Sequence, residues 1–280
     1  MYLSESDKFD IVIQGKYYDF TDDIVECYLK VPFLNKIIVS CWEDNQEPLV
    51  HERVCVIKNR YPETPGTDNR NLQILSSLNG LKKCDSNFAI KIRSDQKYTL
   101  ESMLKMFEFF HKNKQSDFKY QYNSNLPNNK IFVLGFFQNL LFSPRDHVFW
   151  GNTKDLIDLF NIPLEKNGLI DIINVSKENL WKYYDNFIRS ETYIGCHYCA
   201  RFDDSINRMI LNQSEYLYDY SPKWQVSKKL SDDLTFKVFK SFPKNIIDFE
   251  WLGKTEYNIP GIPWTLNPYL EACSWHEEGY

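Results

Sequence analysis

The chain has 280 residues, 43% hydrophobic and 25% charged, which supports a sizeable buried core in one large domain or in a domain with an appended smaller half. Its formal net charge of −5 disfavours a general nucleic-acid partner, which would ask for a strongly basic face. No apolar run approaches the roughly 18 residues that span a bilayer, the N-terminal MYLSESDKFD is unlike a secretory signal, and the seven cysteines lack a framework spacing, so a soluble, cytoplasmic chain in a reducing compartment is expected.

In chain order, FDIVIQG (9–15) is β-rich and stops at a glycine. TDDIVECYLKV follows with acids in its first turn, apolar residues at helical spacing and Thr21 as an N-cap. NKIIVSCW (35–42) and RVCVIKN (53–59) are further buried-type strands. The Pro- and Gly-rich YPETPGTDNRN is a loop, and it feeds NLQILSSLNGLKKC, in which Leu72, Leu75, Leu78 and Leu81 recur on one helical face. NFAIKIRSD reads as a strand, TLESMLKMFEFFHKN as an amphipathic helix, and KIFVLGFF as a strand. In SPRDHVFWGNTKDLIDLF a helix starts near Thr153, with Asp155 in its first turn.

Strands alternating with helices predict an α/β protein with a mostly parallel central sheet flanked by helices on both faces. The pattern changes after about residue 160. Residues 1–160 are therefore read as the α/β part, and 161–280 as a mainly helical C-terminal part. That second part includes SKENLWKYYDNFIRSETYIGCHYCARF, with Ser176 as a cap, and a proline-rich IPGIPWTLNP loop.

In such sheets ligands bind at the carboxyl ends of the strands. Those ends present Gln14 and Gly15, Trp42 and Glu43, Asn59 and Arg60, and then Arg93, Ser94 and Asp95. Gly15 would let backbone approach a ligand, and Asp95 could hold a divalent cation, magnesium or manganese, against phosphate oxygens. Arg70, opening a helix, could meet phosphate in a fork geometry; the plainer reading has Asp68 or Asn69 capping the helix and Arg70 solvated. Cys196 and Cys199 in GCHYC have metal-like or redox-like spacing but no second ligand pair, so a structural role is expected. His51, His111, His197 and His276 show no ligand spacing either.

The ordered segments FDIVIQG, IIVSCWED, NRNLQILSSLNGL, IKIRSD, RDHVFWGNTKDLIDLF and RSETYIG resemble the WavE family of lipopolysaccharide-synthesis proteins and, more broadly, GT-A-type glycosyltransferases. The likeness runs from Phe9 to about Gly195. It implies a GT-A-like fold and a glycosyltransferase that moves a sugar from a nucleotide-sugar donor to a hydroxyl of a lipopolysaccharide, capsule or related glycan. Under it the first part binds the nucleotide sugar, and the C-terminal part is an acceptor-binding region. The acceptor would be a glycan or lipid-linked glycan, which is compatible with a peripheral seat on the inner face of a membrane.

Carried over by position, Gln14 and Gly15 line the nucleotide pocket, and Arg70 and Asn71 lie near the nucleotide or diphosphate. Asp95 matches the last acid of the metal motif, while Asp146 is the first candidate for general base and His147 the second. Two departures are visible. Lys16 stands where the family pattern often has proline, and Arg93 stands where the first acid of the metal motif would come, as a source of positive charge for phosphate. Trp150 beside Gly151 is a candidate for stacking on a sugar or for plain core packing. The residues alone also admit a nucleotidyltransferase on a similar sheet, or a non-catalytic glycan-binding or assembly protein.

Overall fold

The computed structural model describes residues 8–45, 49–113, 129–136, 141–165, 189–206 and 222–252. The expected SKENLWKYYDNFI portion of a helix, its Ser176 cap, the IPGIPWTLNP loop and His276 lie outside these residues.

The first strand, β1 (Phe9–Gln14), is buried along its whole length. That is what a central strand of a sheet covered on both faces requires, and Ile11, Val12 and Ile13 supply its apolar middle. It leads into α1 (Thr21–Tyr28) and then β2 (Leu34–Trp42) and β3 (Val54–Asn59). Next come α2 (Arg70–Leu81), β4 (Phe88–Arg93), the short β5 (Gln96–Tyr98) and α3 (Leu100–Asn113). The remaining elements are β6 (Ile131–Val133), β7 (Val148–Asn152), α4 (Thr153–Phe160), α5 (Ser190–Cys199), α6 (Pro222–Val238), β8 (Phe239–Ser241) and β9 (Phe249–Trp251).

Among the described residues, seven strands form one sheet in the order β3-β2-β1-β4-β7-β6-β8. All pairings are parallel except the two made by β7, which runs antiparallel between β4 and β6. The sheet is thus mostly parallel with flanking helices, as the alternation of elements predicts. The residues after 160 contribute α5 and α6, but also β8 to the main sheet and β9 to a two-stranded sheet with β5. Both strands are only three residues long, too short for a sequence pattern to announce.

Each face of the sheet carries its own core. On one, Trp150 is fully buried against Phe9, Phe110 and Phe242, so this tryptophan packs the core and does not reach a ligand. On the other, α2 lies against β1 and β2, and here the leucine stripe misleads. The helix turns Ile74, Ser76, Ser77, Gly80 and Leu81 inward, while Leu72, Leu75 and Leu78 are only partly buried. Small residues win because the helix sits so close to the sheet: a Cβ on Gly80 would come within 2.5 Å of Val12 Cγ1 and 3.1 Å of Ser40 Cβ. The Ser40 hydroxyl donates to the Ser76 carbonyl at 2.7 Å across the same contact.

Two expected helix caps are built differently. Thr21 opens α1, but its hydroxyl accepts from the Tyr18 amide instead of a helix amide. Asn69 occupies the cap position of α2 in a left-handed conformation, φ 58°, with no side-chain capping bond. The expected start of α4 at Thr153 is found, capped by Asn152, whose side chain accepts from the Lys154 amide, and Asp155 lies in its first turn. At the amino end of the sheet the buried Asp10 carboxylate takes the Asp85 and Ser86 amides at 2.6 and 2.8 Å, fixing the turn that launches β4.

The contact at Gly80 gives a direct test. Gly80→Ala should destabilise the fold by about 1–3 kcal/mol through overpacking, read as a lower urea midpoint at unchanged slope. Adding Val12→Ala should recover part of that loss, because the two positions share one contact.

Candidate functional site

The carboxyl ends of β1, β2 and β4 open into a polar cavity of about 580 Å³. Gln14, Gly15, Lys16 and Tyr18 line it from the end of β1, Trp42 from β2, and Asn69, Leu72 and Gln73 from the start of α2. Arg93, Ser94 and Asp95 come from the end of β4, and Asp146 and His147 from the turn before β7. Because β7 is antiparallel, its beginning meets the end of β4, which is how Arg93 and Asp146, 53 apart in sequence, reach one rim. Arg189, Ser190 and Glu191 at the head of α5, with Trp251 of β9, complete the wall.

Gly15 adopts φ +134°, and a Cβ there would lie 2.5 Å from the Ser94 hydroxyl. That backbone is open to glycine and strained for any other residue. It keeps the ends of β1 and β4 close, with the Ser94 amide donating to the Gln14 carbonyl at 2.9 Å.

The centre of the site is Arg93. Its Nε and Nη2 donate to the two oxygens of Asp95 at 2.9 and 2.8 Å, while Nη1 donates to Asp146 Oδ2 at 2.9 Å. The side chain keeps 31% exposure on the cavity side. Asp95 Oδ2 also accepts from the Trp251 indole at 3.2 Å, and Asp146 Oδ2 from the Gln73 amide at 3.0 Å. The second Asp146 oxygen, Oδ1, has no hydrogen-bond partner among the described residues.

Burial pushes both carboxyl pKa values up, but neighbouring positive charge wins. For Asp95 the hydrogen bonds and charge of Arg93 bring it below the usual carboxylate value. For Asp146, the charges of Arg93, His147 and Lys91 hold it further below. Both are therefore ionised through the neutral range. His147 goes the other way: burial pulls it from 6.5 down to about 3, so its ring is neutral at pH 7. The Gln96 amide sits on its Nδ1, and Trp251 meets its ring edge-on at 5.3 Å.

Several residues of the site and its support are not marked by any motif in the sequence. Lys91, fully buried in β4, donates to the Asp146 carbonyl at 3.0 Å between the rings of Phe149 and Phe160. Burial lowers its pKa to about 8 against the pull of Asp146. A lysine inside the apolar AIKIR of a central strand was the available clue, because an unpaired charge is not tolerated there. Arg189 and Glu191 lie within RSETYIG, and Trp251 in a three-residue strand that nothing local marks.

The turn that carries Asp146 is fixed from behind. Phe142 takes φ 47°, its amide donates to the Ser231 hydroxyl of α6 at 2.6 Å, and α5 presses so close that a Cβ on Gly195 would lie 1.7 Å from the Phe142 carbonyl oxygen.

Of the residues singled out from sequence, Gln14, Gly15, Arg93, Asp95, Asp146 and His147 come together on the cavity wall. Arg70 and Asn71 sit in the layer behind it. Arg70 is fully buried, with Nε donating to the Thr67 carbonyl at 3.0 Å, an ion pair of 3.2 Å to Glu165, and its guanidinium 4.6 Å from the Tyr193 ring. Asn71 exchanges hydrogen bonds with the Glu165 backbone at 2.8 and 2.9 Å. Of the other strand-end residues, Asn59 is buried and binds Ser40 and Cys41, and it does not line the cavity. Cys196 and Cys199 are buried free thiols on α5 whose pKa values burial raises.

A family model described as WavE lipopolysaccharide synthesis matches residues 30–221, more than half of the chain. The chain belongs to the WavE family. The matched span holds β2 to the whole of α5 and so carries Arg93, Asp95, Asp146 and Arg189; Gln14, Gly15 and Trp251 fall outside it. No curated protein matches. Among solved structures, a 2-C-methyl-D-erythritol 4-phosphate cytidylyltransferase from Francisella tularensis is similar at 13% identity and TM-score 0.36, covering 64% of this chain and 88% of that one. HddC from Yersinia pseudotuberculosis matches at 14% identity and TM-score 0.31 over 57% of this chain and 82% of its own. S. aureus TarS matches at 10% identity and TM-score 0.35, over 85% of this chain and half, 50%, of its own.

Two histidines held neutral give a pH signature. In the folded chain His147 titrates near 3 and His197, partly buried and lowered further by the charge of Arg70, near 4, against an ordinary 6.5. Lowered folded values mean that stability is present above 6.5 and drains away as the pH falls towards 4, because only the unfolded chain takes up these protons. Asp155, which burial and Asp158 raise to about 6, protonates first in the folded chain and offsets part of the loss. In wild type, urea midpoints should fall between pH 6 and 4. The His147→Asn variant should lose less, by up to about 1.4 kcal/mol per pH unit. Equal slopes would show that His147 is not held neutral.

Proposed function

We propose that this WavE-family chain is a glycosyltransferase that binds a nucleotide-sugar donor in the strand-end cavity and transfers the sugar to a hydroxyl of a glycan acceptor, in the synthesis of lipopolysaccharide or a related polymer. The observation that carries the reading is the bridging of Asp95 and Asp146 by Arg93 in a polar cavity at the carboxyl ends of β1 and β4. Ligands of α/β sheets bind at that edge, and the cavity is of ordinary size for a small-molecule site.

In the transfer the acceptor oxygen forms a bond to the anomeric carbon. The bond from that carbon to the diphosphate breaks, and its electron pair leaves with the nucleoside diphosphate. Positive charge for the leaving group comes from Arg93, Lys16 and Arg189, in the preorganised manner that supplies much of enzymatic rate acceleration. The acceptor proton goes to Asp146 through Oδ1, since Oδ2 is committed to Arg93 and Gln73. A carboxylate with a depressed pKa is a weak base, so Asp146 acts late, taking the proton as the hydroxyl becomes acidic in the transition state. His147, neutral and adjacent, is the alternative acceptor for the same proton. Tyr18 and Trp42, which also line the cavity, offer flat apolar faces to a base.

Purified protein should melt at a higher temperature with one family of nucleoside-diphosphate sugars. The gain should reach about 2.7 kcal/mol at a hundred times the dissociation constant. Asp146→Asn should keep that stabilisation and slow transfer by about a hundredfold or more, measured by release of nucleoside diphosphate in the presence of acceptor. Stabilisation by glycans but by no nucleotide would overturn the donor site in favour of a binding protein.

A further inference from the structure

We infer that the donor binds without a divalent cation, because Arg93 already occupies the place between Asp95 and Asp146 where a cation would be held; this rests on the donor-site reading above. Magnesium and manganese are ordinarily held by one or two carboxylates together with substrate phosphates. Asp95, the expected ligand, has one oxygen on Arg93 Nε and the other on Arg93 Nη2 and the Trp251 indole. Asp146 gives Oδ2 to Arg93 Nη1 and the Gln73 amide. Among the described residues no group of three or more His, Cys, Asp or Glu side chains is placed to hold a metal ion.

A cation approaching either carboxylate in this arrangement meets a guanidinium that does not lose its proton and sits within 3 Å of both carboxylates. It would have to displace that group from three charge-assisted hydrogen bonds, two of them a bidentate pair. The residues as arranged do not fit a resident cation. They fit a protein-borne one, with its 31% of exposed side chain facing the cavity. Lys16 and Arg189 line the same cavity and extend the positive charge to the phosphates.

The test uses the whole chain and two titrants, manganese alone and a panel of nucleoside diphosphates. In wild type, calorimetry should find no manganese site at submillimolar concentration. The nucleotide dissociation constant should be the same in EDTA and in excess manganese, to within about twofold. Arg93→Ala leaves two carboxylates aimed at the point their cation has vacated, so it should gain manganese binding, at least about tenfold tighter than wild type, with a manganese-dependent rise in melting temperature. Arg93→Gln, which keeps a donor to one carboxylate, should gain less; it serves where Arg93→Ala does not fold.

Nucleotide binding by wild type that disappears in EDTA would overturn the inference and leave the donor-site reading standing. An Arg93→Ala protein that folds and binds manganese no better than wild type would also overturn it. No nucleotide binding under either condition would overturn the donor-site reading itself.

Discussion

One guanidinium between two carboxylates sets the geometry of the whole strand-end rim. Asp95 follows β4 by two residues, while Asp146 arrives on a turn from a different part of the chain, and like charges this close repel. Arg93 converts that repulsion into attraction and aligns both groups. Its consequences spread outward. Trp251 reaches Asp95 only because β9 pairs with β5, where Trp251 faces Gln96, the residue next to Asp95. Gln73 reaches Asp146 only because Gly80 lets α2 lie close on the sheet.

The turn bearing Asp146 is held from several directions by groups that do not touch the cavity. Lys91 takes its carbonyl from within the sheet, Ser231 takes the Phe142 amide, and Gly195 admits the Phe142 carbonyl against α5. Rigid support of this kind holds the Asp146 carboxylate in place without using its Oδ1, which keeps that oxygen available for the proton-accepting role proposed for it. Arg70, Asn71 and Glu165 act similarly on the far side. They tie the start of α2 to residue 165 and, through the Tyr193 ring, to α5, whose head lines the site.

What the sequence made legible follows period and composition. β1, β2 and β4 are buried, mainly apolar runs, and α3 and α4 carry clear amphipathic spacing, so sheet type and strand-end residues could be read directly. The leucines of α2 could not be trusted, because proximity to the sheet favoured Ser76, Ser77 and Gly80 over Leu72, Leu75 and Leu78. Arg70 by its place at a helix start, and Asn71 by the family resemblance, were expected near the nucleotide or diphosphate; their partner Glu165 lies more than 90 residues away and leaves no local trace. Nor did anything local indicate that an arginine two residues before Asp95 would fold back onto it, or that a three-residue strand would bring Trp251 to the same carboxylate.

The most direct measurement is a crystal structure of the chain with a nucleoside diphosphate bound in the presence of manganese, with anomalous data collected. The account predicts the diphosphate within hydrogen-bonding reach of Lys16, Arg93 and Arg189, with Arg93 still joined to Asp95 and Asp146 and no anomalous peak between those carboxylates. A manganese peak on Asp95 with Arg93 swung away, or a nucleotide seated outside the strand-end cavity, would contradict it.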